Sequence, residues 1–286
     1  MARPIAMLAL LLLALAGPAC AQAEPPRRIV SLNLCADQYL VELADREQIA
    51  GLSAFARDPS LSFHAREAQS YPINSGHAED LVRLAPDLVV ASPYQRAEIT
   101  AVLERFGLAV MHLPEAGSYA GIEDQTRAIA AAIGHPARGE ALIGRMRAEL
   151  AAIELPAIGA RPTALHYQRQ GYVSGSRTLL SEVMERAGLV NLAGRMGTDI
   201  IARVSLEDVL KEGPDFLVST YPAERVEDLG TELLQHPALR RRYGPDRRLD
   251  VPEAMTVCPG PSFPAAVARL TAERTRAMAL SREGGP

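Results

Sequence analysis

The fold is decided by a stretch that the chain contains twice, EDLVRLAPDLVVAS at residues 79–92 and EDVLKEGPDFLVST at residues 207–220. The copies lie 128 residues apart, and both place Glu-Asp at the start, Pro-Asp in the middle and a short apolar run near the end. Each copy therefore predicts a helix, a Pro-Asp turn and a strand that ends in Ser or Thr. A repeat with so wide a spacing indicates two similar domains rather than a short-period solenoid.

The sequence around both copies alternates between strand and helix patterns. In the first half we predict strands over residues 28–33, 49–54, 88–92 and 109–113, with helices over residues 36–44, 97–106 and 122–133. In the second half we predict a strand over residues 163–168 and a helix over residues 178–187. This alternation predicts an α/β fold of two Rossmann-like lobes with mostly parallel sheets.

A helical segment of different character separates the two halves. Pro136 is a favourable first helical residue, and no further Pro occurs before Pro156. Apolar residues recur there at helical spacing, namely Leu142, Met146, Leu150 and Ile153. Such a helix is about 30 Å long, and we interpret it as one long α-helix that joins the lobes. We therefore predict a signal peptide over residues 1–21, a first lobe over 22–135, a linker helix over 136–156, a second lobe over 157–280 and a flexible tail over 281–286.

The first residues have the pattern of a secretory signal peptide. A positive charge precedes an apolar run over residues 5–16, and small residues permit cleavage after Ala21, or alternatively after Ala23. The run is shorter than the roughly 20 residues of a membrane-spanning helix. A lipoprotein anchor on Cys20 is the less favoured alternative, because Gly17 stands where lipoprotein signals favour a large aliphatic residue. We predict export of a soluble mature protein.

The composition and the motifs exclude several classes of function. A net charge of −4 gives no reason to expect nucleic acid as a partner. The sequence has no Walker A loop, no H-E-x-x-H motif and no G-x-G-x-x-G after the first strand. GYVSG at residues 171–175 places its Ser one position too late for a nucleophile elbow. We therefore expect a protein that is not an enzyme, with no catalytic residues, no cofactor and no metal ligands.

The mature chain resembles the class III periplasmic binding proteins, which are the capture components of ABC importers for ferric siderophores, haem and vitamin B12. The resemblance is carried by RIVSL at 28–32, AE at 78–79 with PDLV at 86–89, GYVSG at 171–175, AGLVN at 187–191 and LE at 206–207 with PD at 214–215. It implies a periplasmic monomer that captures a metal chelate between its lobes and delivers it to an ABC permease and ATPase complex. It also implies that Glu79 and Glu207 dock onto arginines of the permease.

Three alternatives stay open beside this function: a cobalamin- or corrinoid-specific protein, a bare transition-metal receptor and a ligand-presenting sensor module. The B12-binding relatives carry Trp in the cleft, whereas this chain has no Trp and places Ile73 and Ile201 at two of those positions. Related zinc and manganese receptors use several His residues at strand ends. Here the first strand ends in Asn33 and Cys35, and His166 falls within a strand, where a buried and hydrogen-bonded His is the usual case.

The candidate ligand-binding residues follow the predicted strands, because ligands of open α/β sheets bind outside the carboxyl ends of the strands. They combine aromatic side chains with a few polar groups, as binding pockets do. In the first lobe they are Asn33, Asp37, Phe55, Arg57, Asn74, Ser75, Tyr94 and Gln95, and in the second lobe Gln168, Arg169, Tyr172, Tyr221 and Met255, with Glu253 in the same loops. If the ligand is haem, Tyr94, Tyr172 and His77 are the candidate axial ligands.

Two cysteines remain once the signal peptide is removed, Cys35 in the first lobe and Cys258 in the second. In an oxidising compartment an even pair predicts one disulfide, which here joins the two lobes near the cleft. The alternative is a pair of thiols that face the ligand.

Overall fold

The computed structural model describes residues 24–92, 94, 97–155, 161–221 and 229–283. The predicted signal peptide lies outside these ranges. Within them, no helix combines the length and the apolar character that crossing a bilayer demands.

A parallel four-stranded sheet forms the centre of the first lobe. Its strands are β1 (Ile29–Ser31), β2 (Ile49–Gly51), β3 (Leu88–Ala91) and β4 (Val110–His112), in the order β2-β1-β3-β4. The helices of this half are α1 (Leu34–Leu43), α2 (Ala65–Ala68), α3 (Ala78–Leu84), α4 (Ala97–Arg105) and α5 (Tyr119–Ala132). Every residue of β3 is buried, as expected for a parallel strand that is covered on both faces. The four strands predicted for this half are all present.

After α6 (Pro136–Ala151), the second lobe repeats this architecture. Its strands and helices follow in the order β5 (Thr163–His166), β6 (Tyr172–Ser174), α7 (Leu179–Arg186), β7 (Val190–Asn191), β8 (Ile201–Arg203), α8 (Leu206–Glu212), β9 (Phe216–Ser219), α9 (Leu229–Glu232), α10 (Pro237–Arg242), β10 (Arg248–Asp250) and α11 (Phe263–Glu283). The main sheet has the order β10-β9-β5-β7 and is parallel throughout, while β6 and β8 form a separate antiparallel pair. The predicted fold class is therefore confirmed.

The repeated stretch forms the same local structure in both lobes, α3 followed by β3 and α8 followed by β9. Both helices end at a residue in the left-handed region, Ala85 with φ 45° and Gly213 with φ 58°. These two residues are also 128 positions apart, so the repeat extends to the backbone conformation of the turn.

The Asp of each Pro-Asp pair anchors the start of the central strand of its own sheet. The Asp87 carboxylate accepts hydrogen bonds from the backbone N–H groups of Arg27 and Arg28 at 2.8 and 2.9 Å. The equivalent Asp215 accepts from the backbone N–H and the hydroxyl of Thr163 at 2.8 and 2.7 Å. Both carboxylates thus satisfy strand-end donors that the sheet ladder leaves unpaired.

Helix α6 packs against α5 of the first lobe and α11 of the second, so it connects the lobes through packing as well as through the chain. Further contacts join the lobes directly. The backbone N–H of Tyr119 donates to Glu182 at 2.7 Å, and the rings of Tyr119 and Phe263 lie 5.1 Å apart. Buried residues of both sheets belong to one continuous apolar cluster.

Two bounds differ from the sequence prediction. Helix α6 ends at Ala151 and the chain turns at Ala152, several residues before the Pro156 that was expected to end it. Helix α11 continues through Glu283, so residues 281–283 are helical and do not belong to a flexible tail.

Candidate functional site

A cavity of about 490 Å³ opens at the carboxyl end of the second-lobe sheet. Because β5 and β9 are parallel neighbours, the residues that follow β5 meet those at the end of β9. The antiparallel pair of β6 and β8 adds Tyr172 and Ile201, whose side chains are largely exposed. The lining residues are Tyr167, Gln168, Arg169, Gln170, Tyr172, Ile201, Ser219, Thr220, Tyr221, Leu234 and Glu253.

Five of the six residues predicted for the second-lobe side of the cleft line this cavity, namely Gln168, Arg169, Tyr172, Tyr221 and Glu253. Met255 does not, because it is partly buried against the apolar core and its carbonyl accepts from the Ser262 hydroxyl at 3.0 Å. Sequence reasoning missed Tyr167, Gln170, Ser219, Thr220 and Leu234. The first four adjoin residues that were named, so extending each strand-end loop by one or two positions finds them, whereas Leu234 lies between α9 and α10 and has no such signal.

Aromatic and polar groups are paired along the cavity wall. The guanidinium carbon of Arg169 lies 5.9 Å from the ring centre of Tyr221, within the range of a cation–π contact. Gln168 donates from its side-chain Nε2 to the Ser174 hydroxyl at 3.1 Å. Among the described lining residues, Arg169 is the one cation and Glu253 the one anion, so the wall has little net charge.

His166 lies beneath the cavity and is 4% exposed, as its place in a strand predicts. Its Nδ1 is 2.9 Å from the Ser174 hydroxyl oxygen, and its Nε2 is 3.3 Å from that of Thr220. Burial lowers the pKa of His166 to about 3, because the protonated imidazole loses its hydration there. The side chain is therefore neutral in any neutral or mildly acidic medium.

The first lobe offers two exposed aromatic side chains at strand ends, Phe55 after β2 and Tyr94 after β3, which are 58% and 79% exposed. A hydrogen bond to the Glu115 carboxylate, together with its negative charge, raises the pKa of the Tyr94 phenol. Both side chains are exposed enough for their ring faces to cover an apolar ligand face. Gln95, predicted beside Tyr94, lies outside the described residues.

Two candidate amides of the first lobe are engaged with the backbone. The Asn33 side chain caps α1 by accepting from the N–H groups of Cys35 and Ala36 at 2.9 and 3.2 Å. The buried Asn74 amide donates to the carbonyls of Ser31 and Leu52 at 2.8 and 2.7 Å, which ties the ends of β1 and β2 together. Contact of either residue with a ligand stays a prediction.

The candidates Arg57 and Ser75 also support loops. The exposed Arg57 donates to the carbonyl of Tyr71 at 2.6 Å. The Ser75 hydroxyl accepts from the N–H of His77 at 3.3 Å, just before α3. Their predicted role in binding is likewise untested.

Asp37 is 1% exposed, so its carboxylate does not reach the cleft surface. It accepts from the N–H and the hydroxyl of Ser53 at 3.0 and 2.5 Å. The Ser53 hydroxyl in turn accepts from the N–H of Phe55 at 3.3 Å. Asp37 therefore supports the loop that presents Phe55. Burial raises the pKa of Asp37 to about 6, against the hydrogen bonds from Ser31 and Ser53 that favour the ionised form.

We expect Asp37→Asn to remove a pH dependence of stability. Between pH 3.8 and about 6 the folded protein keeps a proton on Asp37 that the unfolded chain has lost. The free energy of unfolding of the wild type, relative to the variant, should therefore fall by roughly 2 kcal/mol as the pH rises from 4 to 7. Urea unfolding at pH 4, 5, 6 and 7 measures this difference.

Asp80→Asn is the matched control for this prediction. Hydrogen bonds from Ser75 and Arg83 lower the pKa of Asp80 to about 2, so that variant should show no such fall between pH 4 and 7. A flat difference between wild type and Asp37→Asn over this range would contradict the burial of the carboxyl group.

Cys35 and Cys258 form a disulfide, with their Cα atoms 5.2 Å apart. The prediction of a disulfide is confirmed, and the alternative of two thiols facing the ligand is wrong. The bond joins the first turn of α1 in the first lobe to the segment between β10 and α11 in the second. It therefore connects the lobes close to Glu253 on the cavity wall.

Glu79 and Glu207 occupy equivalent positions in the first turns of α3 and α8, and both are exposed. Their predicted docking to a permease is not tested by these positions, although exposure is a requirement for it.

The described residues contain no group of three or more His, Cys, Asp or Glu side chains that could hold a metal ion.

Two similar α/β lobes, joined by a helix and a disulfide and bearing a cavity at the strand ends, define a two-lobed solute-binding protein. A family model described as periplasmic binding protein matches residues 29–241, and the chain belongs to this family. Members of the family are periplasmic, and they are binding proteins rather than enzymes.

Named relatives include a cobalamin-binding protein of Halobacterium salinarum, found alike in two strains. It is 30% identical over 214 residues, which are 73% of this chain and 58% of the relative. The chain thus spans little more than half the length of these curated relatives.

Solved structures share the fold. The apo periplasmic haem-binding protein of Roseiflexus sp. RS-1 is 25% identical, with a TM-score of 0.64 over 88% of this chain and 98% of that one. A periplasmic haem-binding protein of Pseudomonas aeruginosa is 22% identical, with a TM-score of 0.66 over 86% and 92%. The periplasmic vitamin B12-binding protein of Vibrio cholerae is 18% identical, with a TM-score of 0.62 over 89% and 98%.

Proposed function

We propose that this protein captures a metal chelate in the periplasm and delivers it to an ABC importer. The observation that carries the proposal is the cavity of about 490 Å³ at the strand ends of the second lobe, together with exposed aromatic side chains at the strand ends of the first. A bulky ligand with apolar faces and a polar rim suits this combination. The chelate is the cargo, and the protein needs no cofactor of its own for this task.

Among chelates, the wall favours a corrinoid. Its hydrogen-bonding groups are mostly uncharged, supplied by Tyr, Gln, Ser and Thr side chains, and the single Arg169 is offset by Glu253. Uncharged donors and acceptors match the neutral amide groups at the rim of a corrin, whereas a strongly anionic ferric chelate calls for several cations. The cobalamin-binding relatives in Halobacterium salinarum support this choice.

The missing Trp residues do not leave the cleft without aromatic surface. Phe55 and Tyr94 from the first lobe and Tyr172 from the second are all exposed, and each offers a ring face to a macrocycle. The candidate site is less suited to haem. A Tyr that ligates haem iron does so as a phenolate, and the Glu115 carboxylate disfavours that form of Tyr94 by raising the pKa of its phenol.

Calorimetric titration with cyanocobalamin, haemin and ferrichrome tests the proposal. We expect cyanocobalamin to bind most tightly, and Phe55→Ala and Tyr172→Ala each to weaken its binding by at least about tenfold, since each removes an exposed ring that the bound ligand would cover. Phe106→Ala is the matched control, because this exposed ring follows α4 at the opposite end of the sheet. Binding of none of the three chelates would overturn the proposed function, and preferred binding of haemin or ferrichrome would overturn the corrinoid assignment.

A further inference from the structure

His166 connects two polar side chains of the cavity wall from below. One ring nitrogen meets the Thr220 hydroxyl at 3.3 Å, and the other meets the Ser174 hydroxyl at 2.9 Å, to which Gln168 also donates at 3.1 Å. Thr220 and Gln168 line the cavity, whereas His166 and Ser174 are buried. The four side chains form one continuous hydrogen-bonded chain from wall to wall.

A neutral imidazole has one N–H donor and one bare nitrogen acceptor. The position of its proton therefore sets the direction in which hydrogen bonds are donated along such a chain. His166 is neutral because burial alone lowers its pKa to about 3, with no charged group contributing to the shift. The nitrogen that carries the proton therefore decides which of its two neighbours donates and which accepts.

The direction follows from the donor at the Gln168 end. The Gln168 amide gives a hydrogen to the Ser174 oxygen, so the hydrogen of the Ser174 hydroxyl needs an acceptor of its own. The neighbour in reach is Nδ1 of His166, since a buried hydroxyl hydrogen is rarely left unpaired. The imidazole proton then belongs on Nε2 and is donated to the Thr220 oxygen. The hydrogen of the Thr220 hydroxyl remains for the occupant of the cavity.

We propose that His166 is a positioning residue that fixes the Thr220 hydroxyl as a hydrogen-bond donor to the ligand. The cavity then favours a ligand that presents a carbonyl or carboxylate oxygen at this point, and it disfavours one that presents an N–H group there. This inference rests on the proposed function for the presence of a ligand, but the direction of the chain is a property of the protein alone.

Nitrogen-15 NMR of the ligand-free wild type tests the direction without any substitution. We expect the imidazole of His166 to carry its proton on Nε2 and to show no titration between pH 5 and pH 8. A proton on Nδ1 would mean that the chain runs the other way and that Thr220 accepts from the ligand, which would overturn the proposal. A doubly protonated ring would overturn it as well.

A double-variant cycle with cyanocobalamin as the probe tests the effect on binding. Thr220→Val should weaken binding about five- to tenfold, the equivalent of one hydrogen bond, whereas Thr220→Ser should retain the wild-type affinity. His166→Phe should cause a similar loss, and the double variant should lose no more than either single variant. Independent losses that multiply, or an unchanged affinity of Thr220→Val, would contradict the positioning role.

The two experiments distinguish a failure of the proposed function from a failure of the inference about His166. If the wild type binds no chelate, the proposed function fails, while the NMR measurement still decides which way the chain runs. If the wild type binds the probe and the proton is on Nδ1, the proposed function stands and the inference about His166 fails.

Discussion

Uptake should fall to background when Glu79 and Glu207 are both changed to Arg, while the affinity for the ligand stays within about twofold of the wild type. The two residues are equivalent by the sequence repeat, lie in the first turns of α3 and α8, and are exposed. A partner that offers a positive group to each of them gains attraction from both lobes at once. Two reversed charges turn both attractions into repulsion, which costs several kcal/mol at an interface.

The measurement is accumulation of cyanocobalamin in cells that depend on this protein, with calorimetry on the same purified variants. Glu104→Arg together with Glu212→Arg is the matched control, because these glutamates are also exposed but lie near the ends of their helices. The control should keep its uptake. Melting curves are needed as well, since Arg in a first turn opposes the helix dipole. Normal uptake by the docking variant, or a loss of ligand affinity in it, would contradict docking through these residues.

The sequence predicts the architecture well because the same pattern of helix, Pro-Asp turn and strand occurs in both halves of the chain. Pro-Asp fixes the turn between helix and strand in each lobe, and the carboxylates of Asp87 and Asp215 then bind the start of the neighbouring strand. Local signals and long-range pairing therefore agree, and the positions of β3 and β9 follow from both.

The candidate site is predicted less completely, since strand ends locate a loop but do not say which way its side chains point. Asp37 and Asn74 follow the right strands, yet they are buried and hydrogen-bonded to neighbouring loops. Thr220 ends the second copy of the repeat, but that pattern does not show that its hydroxyl lies on the cavity wall beside Tyr221. Its role depends on His166, which contacts it across two neighbouring strands.

Removal of the disulfide by Cys35→Ala with Cys258→Ala should lower the free energy of unfolding by about 5 kcal/mol in the chain-entropy account, because the bond closes a very long loop. The two cysteines are 223 residues apart, so nearly the whole described chain lies within the loop. For a protein of this size the loss corresponds to a melting temperature lower by roughly 10 °C. Ala is preferred to Ser, since Cys258 is 2% exposed and a hydroxyl there would be buried.

Reductant separates the effect of the bond from that of the substitutions. Dithiothreitol should lower the melting temperature of the wild type toward that of the variant and leave the variant unchanged. Equal melting temperatures of oxidised wild type and variant would show that the bond contributes no stability.

The bond also joins α1 of the first lobe to the segment that carries Glu253 in the second, so it limits how far the cavity wall can move from Phe55 and Tyr94. Faster release of cyanocobalamin from the variant, at a temperature where both proteins are folded, is therefore the expected sign that the disulfide restrains opening as well as unfolding.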